Sequence, residues 1–103
     1  MSTKYETRLW VNSTAIKLIP FPEEFLRNIV LAVIASLKGT DGEIKTIDLN
    51  ESDGNVEITL NGNKIALTPF PNEFVANTLN GLISTLKGVD KIKEVRILLQ
   101  ATK

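Results

Sequence analysis

The chain has 103 residues, 43% of them apolar, with twelve basic and twelve acidic side chains and neither cysteine nor histidine. That length suits one hydrophobic core and one domain over residues 1–103, and the charge balance leaves no long-range field to favour nucleic acid, an anionic membrane or an acidic substrate. Disulfides, thiolate nucleophiles and the usual zinc ligands are excluded, so only carboxylates, lysines and hydroxyls remain for chemistry.

The opening MSTKYETRLW is polar and alternating, unlike a basic stretch followed by an apolar run, so no secretory leader is expected. The alternation predicts a first strand with Tyr5, Thr7, Leu9 and Val11 on its core side. Asn12-Ser13 then predicts a two-residue hairpin into a second strand. The Pro-Phe-Pro of residues 20–22 opens a helix, with Pro22 expected at its first position and acidic residues in the positive first turn. Its expected end is Leu37-Lys38-Gly39, with Gly39 as left-handed cap, and a strand follows through Ile44, Ile47 and Leu49. Ser52-Asp53-Gly54-Asn55 reads as a turn rather than a linker.

From there the series repeats: a strand with Val56, Ile58 and Leu60, a hairpin at Asn61-Gly62, a helix from Pro71 to its cap at Gly88, and a strand through Ile92, Val95 and Ile97. A shift of 49 residues aligns Trp10–Asp41 with Thr59–Asp90 without a gap, and 14 of those 32 positions are identical. A one-residue slip then pairs Ile44, Ile47 and Leu49 with Ile92, Val95 and Ile97. The copies span about residues 4–50 and 54–99. The expected fold is α+β: two ββαβ units forming one mostly antiparallel six-stranded sheet, with both helices on one face about a pseudo-twofold. Two copies without distinct caps favour this closed arrangement over an open solenoid. Strand order stays open.

On a helical wheel each helix has three faces. The first, Phe25, Ile29, Val33 and Leu37 with Leu26, Val30 and Ile34, matched by Phe74, Leu82 and Leu86 with Val75, Leu79 and Ile83, is expected against the sheet. The second, Asn28-Ala32-Ser36 and Asn77-Gly81-Thr85, is small or weakly polar in both copies, which predicts close helix-helix packing. On the third the copies diverge: Arg27, Leu31 and Ala35 stand where Ala76, Asn80 and Ser84 stand in the second copy. That unequal polarity makes Arg27, Leu31 and Ala35 the leading candidate interface, for a second copy of the chain or another protein.

The opposite face of the sheet should carry interspersed charges, among them Lys4, Glu6, Arg8, Lys17, Asp48, Glu57, Lys64, Glu94 and Arg96. Trp10 lies among them where the other copy has Thr59. Arg8, Trp10 and Arg96 therefore form a second candidate surface, for a peptide, a small molecule or nucleic acid. Two fused halves presenting one sheet face resemble, in architecture only, the saddle of TATA-box-binding proteins. Duplex binding needs an excess of basic contacts to phosphate, and this mixture of signs argues against it.

No phosphate-loop, dinucleotide, metal-helix or nucleophile-elbow pattern occurs, so no catalytic residue, cofactor or metal is assigned. Asp41 and Asp90, which match between copies, are read as turn residues after the helices. The longest apolar run, Ile29–Ala35, falls far short of the about 20 residues that span a bilayer, so a soluble, cytoplasmic protein without membrane attachment is expected.

The runs NGNKIALTPFPNEF and LKGVDKIKEV resemble small uncharacterised archaeal and bacterial proteins that carry this unit once. The resemblance covers each half and implies an ancestral homodimer fused into one chain, with no activity attached. The leading expectation is a non-enzymatic interaction module that self-associates through its first helix; the alternative is ligand binding on the sheet face around Trp10.

Overall fold

The computed structural model describes residues 5–36, 43–65, 67, 69–85 and 91–102. The elements run β1 (Tyr5–Val11), β2 (Thr14–Ile16), α1 (Pro20–Ser36), β3 (Thr46–Ser52), β4 (Asn55–Leu60), β5 (Asn63–Ile65), α2 (Pro69–Ile83) and β6 (Glu94–Ala101). Six strands form one open sheet in the order β2-β1-β6-β3-β4-β5, and every neighbouring pair is antiparallel. The fold class is α+β.

The strand order exchanges the halves. The strand that closes each half lies beside the first strand of the other, β6 against β1 and β3 against β4, and β3 and β6 meet at the centre. The offsets found in the sequence return as register. Leu9 opposite Ile16 matches Ile58 opposite Ile65, and Val11 opposite Val95 matches Leu60 opposite Ile47.

Three two-residue turns join antiparallel neighbours: Asn12-Ser13, Asp53-Gly54 and Asn61-Gly62. Both residues of each have positive φ, the geometry that matches the twist of the flanking strands. Ser13, at φ 68°, is the costly member, and its hydroxyl is held by the Glu94 carboxylate at 2.8 Å.

The two turn asparagines also fasten the halves together. Asn12 Oδ1 accepts from the backbone N–H groups of Lys93 and Glu94 at 2.7 and 3.0 Å, while its Nδ2 donates to the Lys91 carbonyl at 2.6 Å. Asn61 repeats this on the first half, accepting from Lys45 and Thr46 at 2.7 and 3.0 Å and donating to the Glu43 carbonyl at 2.7 Å. Each asparagine therefore satisfies the backbone where the other half's closing strand enters the sheet.

One face of the sheet is buried under the helices. Leu9, Val11, Ile47, Leu49, Val56, Ile58, Val95, Ile97 and Leu99 share a single core with Leu26, Val30 and Ile34 of α1 and Val75, Ala76, Leu79 and Ile83 of α2. Tyr5 closes one end by donating its hydroxyl to the Ile44 carbonyl at 3.1 Å.

The helices depart from the sequence reading at three places. They begin at Pro20 and Pro69, two residues before the expected start, and the Glu23 N–H closes the first turn of α1 on the Ile19 carbonyl at 3.0 Å. Pro20 and Pro22 both lack an N–H, so two of the unpaired donors of that turn never exist. Phe25 and Phe74 are 44% and 65% exposed instead of packed on the sheet. The buried ridge of α1 runs through Leu26, Val30 and Ile34, and Phe25 lies about 100° around the helix from Leu26. Asn28, Ala32, Ser36, Asn77, Gly81 and Thr85 are all exposed, so the small-residue line packs no helix against another. The caps at Gly39 and Gly88, the apolar Leu37 and Leu86, the turn residues Asp41 and Asp90, and Lys4 lie outside the described residues. Among the described residues no helix is long and apolar enough to cross a membrane.

Candidate functional site

On the open face the alternation of β1, β6 and β3 brings the second candidate set together. Trp10 lies directly opposite Arg96, and Arg96 directly opposite Asn50. The Arg96 guanidinium stacks over the Trp10 ring, 5.2 Å from its centroid, and reaches diagonally to Asp48 with two hydrogen bonds of 3.1 and 2.9 Å. The stack and the fork use the plane and the edge of the same group, which an arginine can do at once. The Asp48 hydrogen bonds, then its charge, raise the Arg96 pKa against a small opposing desolvation. Because the folded-state value is the higher one, the part of the pair's contribution that depends on the Arg96 charge is complete through the neutral range and is lost as the pH rises into strong base.

Arg96 and Asp48 occupy equivalent positions under the offset of 48, one in each closing strand. Arg8, opposite Leu98 in the next row, pairs with Glu6 at 3.2 Å. A groove of 280 Å³ runs beside the stack, lined by Trp10, Ser13, Asn50, Ser52, Glu94 and Arg96. Its cation is already committed to Asp48 and Glu94 to Ser13, while Glu51, which also lines it, accepts from the Gly54 N–H through one carboxyl oxygen.

The first candidate set divides. Leu31 is half-buried and packs against the core, Arg27 is half-buried, and Ala35 is exposed. Leu31 thus differs from Asn80 in how each helix meets its own core; Asn80 instead donates its side-chain amide to the Ala76 carbonyl at 3.0 Å.

The apolar surface lies elsewhere, on the shoulder where β2 leads into α1. Ile19 is 61% exposed and Phe21 74%, and the Phe21 ring stacks on that of Phe25 with centroids 5.9 Å apart and planes 8° from parallel. Pro20 and Pro22 hold Phe21 in the first turn with little freedom to fold back. Sequence periodicity placed Phe25 with the core because it flanks the buried ridge. The signal that could have found the shoulder is Phe21 itself, an aromatic clamped between two prolines.

Among the described residues no cluster of three or more metal-ligating side chains occurs. No protein-family model matches the chain, and no curated protein or solved structure does. The surfaces themselves therefore carry the functional argument.

Proposed function

We propose that the protein is a non-enzymatic, cytoplasmic interaction module that binds a segment of a partner protein against the shoulder formed by Ile19, Phe21 and Phe25. The observation that carries this is the exposure of three large apolar side chains within seven residues, two of them as a stacked pair. Burying such a side chain is worth about 1.5–3 kcal/mol, and monomers rarely group several in the open. Phe21 and Phe25 are presented on a helix packed to the core through Leu26, Val30 and Ile34, so the pad is rigid before a partner arrives. The non-enzymatic part rests on the sequence, which lacks histidine and cysteine. The matched registers of the two halves favour an origin by fusion of a homodimer.

The test is selection of a displayed library of random peptides on the native chain, with Phe21→Ser/Phe25→Ser as counter-target. Peptides that bind the native chain and lose at least tenfold affinity for the folded double variant support the reading. Peptides that bind both alike, or no enrichment at all, overturn it. Light scattering across a concentration series distinguishes the self-associating alternative: a native dimer that the double variant converts to a folded monomer makes the partner a second copy.

A further inference from the structure

Deepening the shoulder reading, on which it rests, we infer that the partner segment binds as an added strand on the free edge of β1 and places a basic side chain against Glu23.

β2 covers only part of β1. Its last paired residue is Ile16, opposite Leu9, so the outer edge of Tyr5–Arg8 extends past it. The Asn12 N–H bonds to the Glu94 carbonyl, which sets the ladder so that even-numbered residues of β1 face β6. The N–H and C=O groups of Tyr5 and Thr7 therefore point outward. Among the described residues no hydrogen bond reaches the Thr7 N–H or the Tyr5 carbonyl.

The other half has the same bare edge and closes it. Val56 and Gly54 are the counterparts of Thr7 and Tyr5, and Asn72 at the start of α2 bridges them. Its Oδ1 accepts from the Val56 N–H at 2.6 Å and its Nδ2 donates to the Gly54 carbonyl at 2.7 Å. A side-chain amide thus stands where the peptide group of one more strand would stand. In α1 the matching residue is Glu23, whose carboxylate has no donor to offer the Tyr5 carbonyl.

Two further features make the unclosed edge a binding slot. A groove of 180 Å³ opens there, lined by Thr7, Arg8, Trp10, Ile16, Leu18 and Glu23. The Thr7 hydroxyl, in a residue only 7% exposed, has no hydrogen-bond partner among the described residues, where the closed half carries the apolar Val56. A buried hydroxyl without a partner is costly unless something supplies one. A main-chain amide would satisfy the edge as Asn72 does, and the Glu23 charge selects lysine or arginine beside it. Arg8, the other charged residue lining the slot, is already paired with Glu6.

The experiment follows amide exchange and the single tryptophan, which lines the slot. In the free native chain the Thr7 N–H is expected to exchange at least tenfold faster than the Val56 N–H, and a selected basic peptide is expected to protect it and shift the Trp10 emission. Glu23→Asn installs the amide of the closed half. Its expected result is a folded protein with a protected Thr7 N–H and at least tenfold weaker peptide binding, while Glu23→Gln weakens chiefly lysine- or arginine-bearing peptides. Equal Thr7 and Val56 exchange in the native chain, or undiminished peptide binding to Glu23→Asn, overturns the added strand. If Phe21→Ser/Phe25→Ser still abolishes that binding, the shoulder reading stands and only the strand fails; if neither variant affects it, both fail.

Discussion

Replacing Asn61 with alanine tests whether the halves are fastened through the hairpin turns. The substitution removes three hydrogen bonds between the turn and residues Glu43, Lys45 and Thr46. At about 0.5–1.5 kcal/mol each, and near the lower end because the turn is exposed, they amount to about 2 kcal/mol. Alanine at φ 50° adds about 1 kcal/mol of backbone cost that asparagine avoids. The total of about 3 kcal/mol should lower the thermal midpoint by roughly 12 °C or more in a domain of this size. Asn61→Asp keeps the acceptor for both N–H groups and tolerates the left-handed backbone, so it should lose only about 1 kcal/mol. Urea titrations of the native chain and both variants, fitted with a common m-value, make the comparison. Equal losses in the two variants, or a loss under about 1 kcal/mol for alanine, would refute the claim that the two accepted N–H bonds carry the clasp. Asn12→Ala should repeat the result at the other end of the sheet.

Ile97, fully buried at the middle of β6, should cost about 2–5 kcal/mol as alanine, whereas Leu98 on the open face should cost under about 1.5 kcal/mol. Urea midpoints that rank the two the other way would show that the sheet faces are misassigned. Glu51 is 3% exposed; one carboxyl oxygen accepts from the Gly54 N–H at 3.0 Å, and the other has no partner among the described residues. Its counterpart in the other half is Leu99, so Glu51→Leu should stabilise the chain by about 1 kcal/mol, water replacing the carboxylate on the exposed turn. Destabilisation measured by the same titration would mean that the bond to Gly54 outweighs the unmatched oxygen.

Local chemistry determined much of this protein directly from the sequence. Alternation over Tyr5–Val11 and Val56–Leu60 identified the core side of each strand, because side chains on a strand must point to opposite faces. Asn-Ser, Asp-Gly and Asn-Gly located the three turns, because few residues tolerate two successive positive φ angles. The shift of 49 residues reappears in the strand registers, where Leu9 opposite Ile16 corresponds to Ile58 opposite Ile65. The grouping of Arg8, Trp10 and Arg96 on one sheet face was legible for the same reason of period.

Tertiary structure alone decided how the halves combine and which surfaces remain open. A hydrophobic pattern specifies a face but names no neighbour, so the exchange that sets β6 against β1 and β3 against β4 has no local signature. The wheel of α1 offered an apolar arc wider than the sheet could cover. Packing chose the ridge of Leu26, Val30 and Ile34, took in the edge of Leu31, and left Phe21 and Phe25 outside. Glu23 and Asn72 stand at matched positions under the shift of 49 residues. The mismatch became a difference between an open and a closed strand edge only once α2 was seated against β4, because a side chain's hydrogen bonds depend on what the fold brings within about 3 Å of it.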